Sequence, residues 1–386
     1  MKNLIKSLFI VFTGMSCSLI YAQSGYPMWK ELKSGSYQVG FKTIDYLDKS
    51  RSIPGEIGDT QFFPIQIAIW YPTSDEWTRE KAVSFEHYFL KTAQKNDFKQ
   101  LTEEQRKQAM DIFFGYAKHG LSIDFSSGER EEIGNRITAA IPEAKQATGP
   151  FPVLLAGHDG GVWKMSTLCE YLASHGYVVI STGPLSASNR LFRQHTQQAI
   201  NRRIRTLEIV RGMLDQFPAV DQSKIGLLGL NSDGLSTLLY QMKNQEADAM
   251  VSIDGWEGKN NGAGYAKESV YFDLSKVQIP RLEFHQHESL DNEALYVNTS
   301  IFDSLTQIDR LSYIMMDFGH AYLTGNLFVL SQLDQKTNEQ HYFWYESIRH
   351  FFDAYLKNDA SSEKRLWTNQ SGESGFFYRD KRIRGK

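Results

Sequence analysis

Hydrophobic and polar positions change their rhythm along the chain, and each rhythm predicts a different element. Two β-rich segments come first, Tyr37 to Tyr46 and Phe63-Pro64-Ile65-Gln66-Ile67-Ala68-Ile69-Trp70-Tyr71-Pro72; the second alternates at period two before a proline stop. Residues Glu76 to Gln146 are charged and helix-favouring, and the Thr102…Gln105 spacing marks a helix start. This stretch reads as a helical insertion, either a lid beside a site or a surface elaboration. From Phe151 onward, solid apolar runs alternate with helical patterns. Pro152 to Gly157, Tyr177 to Ser181, Lys224 to Gly229 and Met250 to Ile253 are such runs, followed by Arg281 to His285 and Leu311 to Met316. Short continuous runs are the pattern of strands buried on both faces. Between them, Met165 to Ala173 reads as a helix, and a longer helix through Arg202, Arg203, Arg205 and Leu207 is expected to keep its arginines on a solvated face. A last amphipathic helix, Trp344 to Leu356, carries Ile348, Phe351, Phe352 and Tyr355 on its apolar side. Repeated strand–helix alternation predicts an α/β fold with a mostly parallel sheet flanked by helices.

The start of the chain follows a different logic. Lys2 and Lys6 precede an apolar stretch, Leu8 to Phe12, that runs on to Leu19-Ile20-Tyr21-Ala22. A positive start, a short apolar region and a small residue at the end read as an export signal over 1–22, leaving 23–386 as one domain in the periplasm or outside the cell. The run is interrupted by Thr13, Gly14 and Ser16 and is short for a membrane span. A lipid anchor at Cys17 is disfavoured because Gly14 stands where that motif uses an aliphatic residue. Beyond the signal only Cys169 remains, so no internal disulfide is expected, and its helical apolar surroundings read as a packed core thiol.

Composition narrows the function classes. The 386 residues are 41% hydrophobic and 23% charged, with a net charge of −3, which describes a globular protein. No basic excess asks for nucleic acid or an anionic membrane, and no integral span is expected in the mature chain. A small-molecule partner fits better. The histidines are scattered, and His285-Gln286-His287 offers one same-face pair without a third ligand nearby, so neither metal nor cofactor is expected.

In open α/β sheets, sites lie beyond the carboxyl ends of the strands. Those loops carry Gly157-His158-Asp159-Gly160-Gly161, Gly229-Leu230-Asn231-Ser232-Asp233-Gly234, Asp254-Gly255-Trp256 and Asp317-Phe318-Gly319-His320. A strand-to-helix elbow, then an acid, then a histidine is the order of the α/β-hydrolase triad. In such a triad the histidine takes the nucleophile's proton, and the buried carboxylate, here Asp254, holds the His320 ring in orientation. The 159–161 turn, with the N–H after the nucleophile, would hold an oxyanion. Trp163, Trp256 and Phe318 are candidates for an apolar substrate wall and equally for core.

The stretch Leu168 to Val179 resembles the helix–strand unit after the oxyanion loop of secreted hydrolases related to dienelactone hydrolase and platelet-activating-factor acetylhydrolase. Asp221-Gln222-Ser223-Lys224-Ile225-Gly226 is similar to the lead into their elbow strand, Ala249 to Trp256 to the strand bearing their catalytic acid, Gly319-His320 to their histidine loop, and Ile69-Trp70-Tyr71-Pro72 to an early strand. The resemblance implies an ester or lactone hydrolase with Asp254 and His320 in the triad, and Asp159, Gly160, Gly161, Asp233 and Trp256 around the oxyanion and substrate. The elbow departs from the family's Gly-x-Ser-x-Gly-Gly. Ungapped alignment puts Asn231 at the nucleophile position and Asp233 at a glycine. A carboxamide is no nucleophile for acyl transfer. A one-residue shift makes Ser232 the nucleophile but requires an extra residue in the strand or turn. Two expectations follow: a serine-type ester or lactone hydrolase through Ser232, or an inactive homologue that binds a small ligand or partner.

Overall fold

The computed structural model describes residues 26–54, 60–94, 98–158, 161–183, 196–217, 219–287, 296–315, 319–324, 330, 335–368 and 376–381. The segment 1–22 read as an export signal lies outside them. Among the described residues ten strands form one sheet: β1 (Gln38–Pro54), β2 (Thr60–Thr73), β3 (Ala140–Pro142), β4 (Phe151–His158), β5 (Val178–Gly183), β6 (Val220–Leu230), β7 (Ala249–Ile253), β8 (Arg281–Gln286), β9 (Arg310–Met315) and β10 (Phe376–Lys381). Their spatial order is β10-β9-β8-β7-β6-β4-β5-β2-β1-β3. From β5 to β9 every neighbouring pair is parallel, while β2 joins β5 and β10 joins β9 antiparallel.

The apolar runs form strands here because both sheet faces are covered, so every residue needs an apolar neighbour. Leu154, Ala156, Leu228 and Val251 point into one core layer, and Val153, Leu155, Leu227 and Met250 into the other. The first layer includes helix α4 (Ser166–Ser174) and α7 (Gln335–Leu356); the second includes α5 (Gln197–Arg211) and α6 (Ser232–Asn244). Ile348, Phe351, Phe352 and Tyr355 are all buried in the first, and so is Cys169.

The insertion forms α1 (Glu86–Ala93), α2 (Glu103–Leu121) and α3 (Ser127–Gly134). Thr102 and Gln105 make the reciprocal capping box that the spacing suggested, and Ser126 with Glu129 makes another. The insertion is no loose decoration. Its Phe85, Tyr88, Phe89, Phe113 and Phe114 belong to the first core layer, and its last stretch supplies β3. A buried carboxylate, Glu170 on α4, ties it down. Tyr88 OH donates to Glu170 Oε1 at 2.5 Å, and Trp29 Nε1 and Ala139 N donate to Oε2 at 3.1 and 3.3 Å.

Two elements differ from the sequence reading. Strand β10 was not anticipated, because Phe376-Phe377-Tyr378-Arg379-Asp380-Lys381 is short and half charged; it forms by pairing its backbone along β9 at the sheet edge. The arginines of α5 do not all face solvent. Arg203 is only 4% exposed and its Nε lies 3.5 Å from Asp233 Oδ1 on α6. The two helices pack together, so a side chain on their shared face turns inward when a carboxylate meets it.

Candidate active site

Chain order reverses across the sheet at β4, which has β5 on one side and β6 on the other. Ligand crevices in open α/β sheets form at such a reversal, beyond the strand ends. The ends are level: His158 is opposite Leu230, and Leu230 is opposite Ile253. From Ile225 to Leu230, β6 pairs residue for residue with Val153 to His158, and its one irregularity lies upstream, between Asp221 and Ile225. The strand therefore carries no spare residue where it enters the elbow.

The turn falls at Asn231, whose φ of 55° and ψ of −120° depart from both strand and helix. Main-chain hydrogen bonds hold it. Asn231 N donates to Ile253 O at 3.0 Å, and Asn231 O accepts from Gly234 N and Trp256 N, each at 2.9 Å. Ser232 is already the first residue of α6 and is 2% exposed. Asp233, where the resemblance expects glycine, fits because Gly157 and Gly229 leave room. A Cβ on Gly229 would lie 2.4 Å from Asp233 O, and one on Gly157 would lie 2.8 Å from Asp233 Cβ. Gly229→Ala should therefore push the first turn of α6 off the strand and destabilise the protein by about 1–3 kcal/mol, measured as a lowered urea midpoint. An unchanged midpoint would show that the elbow has slack.

Asp254 follows β7 at φ 45° and is 2% exposed. Its Oδ2 accepts from His320 Nδ1 at 2.6 Å, and its Oδ1 accepts from Lys259 Nζ at 2.5 Å and Gln286 N at 3.2 Å. Burial pushes this carboxyl up, but the Lys259 ammonium and the His320 ring outweigh it and hold the group far below the usual carboxylate range. Asp254 is thus a carboxylate at neutral pH. With Nδ1–H engaged, the His320 Nε2 lone pair is left to act as a base. The ring side chain is 30% exposed while its partner is closed off.

Beneath the pair lies a second buried group of charges. Arg281 is fully enclosed and binds Glu257 at 2.5 Å as well as Glu283. Ser252 Oγ donates to Glu257 Oε1 at 2.6 Å, and His285 Nε2 lies 2.9 Å from Glu283 Oε2. Burial raises the Glu283 pKa, but Arg281 and His285 prevail and bring it down to about 2. His285 is thus turned into the interior against Glu283, with its side chain 2% exposed. Lys259, Glu257, Arg281, Gln286 and Arg203 were not anticipated. Arg281, Glu283 and His285 occupy alternate positions of one strand and so share a face; charges on one face of an otherwise apolar run were the available signal.

Gly161 opens the short turn Val162–Lys164 with φ 123°, whereas Asp159, Gly160 and Phe318 lie outside the described residues. Trp256 gives its N–H to the Asn231 carbonyl, while its ring packs on Tyr265 at 4.7 Å in the second core layer. Trp163 packs against Phe113 and Tyr116 of the insertion at 5.1 and 5.3 Å. Helix α2 lies against His320–Leu323: a Cβ on its Gly120 would be 2.9 Å from Ala321 Cβ. The insertion thus borders the segment that carries His320. Among the described residues no group of three or more His, Cys, Asp or Glu side chains could hold a metal ion, and no helix is long and apolar enough to cross a membrane.

No family model matches the chain, and no curated protein compared with it matches. Among solved structures, a ferulic acid esterase from Streptomyces cinnamoneus is similar in fold, with a TM-score of 0.54 and 17% identity, over 90% of this chain and 98% of that one. The mixed sheet and this likeness give the chain an α/β-hydrolase fold.

Proposed function

We propose that this protein holds a carboxylic ester or lactone in an α/β-hydrolase pocket where Asn231 occupies the nucleophile position. The observation that carries the reading is the laced geometry of three loops. Asn231 at φ 55° and ψ −120° is bonded to Ile253 and Trp256, which bracket Asp254, and Asp254 holds His320 at 2.6 Å. Such an arrangement supplies a base, an oriented carboxylate and main-chain donors at a helix start. It lacks a group able to form an acyl-enzyme, because the Asn231 nitrogen lone pair is delocalised into its carbonyl. Ligand binding is then the basal activity, and export through the 1–22 leader belongs to the same reading. The fold likeness to an esterase favours a second reading, an active ester hydrolase in which Ser232 is the nucleophile.

The test is intact-mass analysis after exposure to a fluorophosphonate. Wild type is expected to stay unlabelled. Asn231→Ser is expected to gain one adduct, with ester hydrolysis rising about 10²–10⁴-fold through His320. An adduct on wild type that disappears in Ser232→Ala would establish the second reading. Failure of folded Asn231→Ser to label would overturn the placement of the nucleophile position at Asn231.

A further inference from the structure

The elbow that deprives Asn231 of nucleophilic chemistry also sets it up for chemistry on itself. Asparagine deamidates when the following main-chain nitrogen attacks the side-chain carboxamide carbon and closes a five-membered imide. Closure needs Cβ and that nitrogen to be nearly eclipsed about the Cα–C bond. In an L-residue Cβ stands about 120° from the residue's own nitrogen around that bond, so eclipsing requires ψ near −120°. Flexible chains reach this value seldom, and helices, with ψ of about −42°, hold Cβ well away. Asn231 has ψ −120°.

The torsion is fixed rather than passing. The Asn231 N–H is held by Ile253 O, and its carbonyl by Gly234 N and Trp256 N, so both ends of the rotating bond are anchored. The attacking atom has no partner within its own helix: Ser232 is the first residue of α6, and a first-turn N–H has no carbonyl there to bond. Asn231 itself is half-buried, within reach of water.

We propose that the Asn231–Ser232 bond is a site of intramolecular deamidation that places a carboxylate at the apex of the elbow. Ser232 N forms a bond to Asn231 Cγ while the Cγ–Nδ2 bond breaks. Hydroxide takes the Ser232 amide proton, and the departing nitrogen takes a proton from water to leave as ammonia, which restores the hydroxide. Water then opens the imide: attack at Cγ gives aspartate, and attack at the main-chain carbon gives isoaspartate. No oxidant or reductant is involved. A carboxylate is a nucleophile that proteins use for covalent catalysis, so the product differs chemically from the encoded residue at the one position where the site needs such a group. This inference stands on main-chain geometry and not on the ligand assigned above.

The chain provides its own control. Asn261-Gly262 is intrinsically the faster pair, because glycine offers no side chain to hinder ring closure, yet it lies inside helix Asn260–Glu268. The folded protein and a guanidinium-unfolded sample are incubated at mildly alkaline pH in H₂¹⁸O and mapped by peptide mass spectrometry. In the folded protein, amide-to-acid conversion with one ¹⁸O is expected at Asn231 at least about tenfold ahead of Asn261, which must first leave its helix by local opening. In the unfolded chain the order should invert. Asn231→Gln, which would need a six-membered imide, is expected to show no conversion at 231. An Asn231 that remains an amide in the folded protein while Asn261 converts in the unfolded chain would overturn the proposal, as would the same order in both samples.

Discussion

Arg281→Met is expected to lower the stability of the folded protein by about 3–5 kcal/mol, read from urea unfolding at pH 7. The guanidinium is fully enclosed and is shared by Glu257 and Glu283, themselves buried. Removing it leaves two carboxylates in a low-dielectric interior, where the lost attraction is no longer offset by solvation. The pH dependence identifies the mechanism. With Arg281 in place, the Glu283 pKa is down at about 2 in the folded protein, so its stabilising contribution is present above the unfolded value and is lost as pH falls through about 2. Without Arg281, burial dominates and favours the protonated acid, so the deficit of the variant should shrink as pH is lowered from 7 towards 5. Adding Glu257→Gln and Glu283→Gln should recover most of the loss. A deficit below about 1 kcal/mol at pH 7 would mean that water already solvates this cluster.

Glu170 gives the opposite sign. Its carboxyl is enclosed among Trp29, Tyr88 and Ala139, and burial raises its pKa to about 7, against the lowering effect of the hydrogen bonds from Tyr88 and Trp29. The folded state then holds this proton more tightly than the unfolded state. Stability from it is fully present below the unfolded pKa of 4.5 and is lost as pH rises to about 7. The loss amounts to about 3 kcal/mol. Glu170→Gln keeps the shape and can accept from Trp29 and Ala139 while its amide faces Tyr88. The difference in stability between wild type and Glu170→Gln should therefore swing by about 3 kcal/mol between pH 4.5 and 8, with the variant the more stable at pH 8. A difference independent of pH would show that the acid ionises normally. Because Glu170 joins the N-terminal segment, the insertion and α4, thermolysin cleavage within the 86–134 helices should accelerate in wild type over the same pH range.

The residues that pin the insertion are large and aromatic, and their burial explains why that stretch looked ambiguous as a sequence. Helices α2 and α3 carry strong polar faces, as surface helices do. What makes them part of the domain is Phe113 stacked on Phe89 at 4.8 Å and edge-on to Trp163 at 5.1 Å. A helical pattern says which side is apolar, but not what that side will meet.

The amino-acid pattern was enough to read the fold class and to mark the strand ends where the candidate loops lie. Strands buried on both faces must be solid apolar runs, such as Val153 to Ala156 and Ile225 to Leu228, and chemistry-bearing loops follow where those runs stop. It also determined the start of α2, because a capping box is a contact between residues three apart. The folded chain alone places the tight turn at Asn231 and not Ser232, since that depends on how β6 is registered against β4 and β7. Only it brought Lys259 onto Asp254, turned Arg203 inward to Asp233 and enclosed Arg281 between two glutamates. The physical reason is shared. Periodicity encodes which face of an element is dry, whereas a charged residue becomes buried only when its partner arrives from another part of the fold.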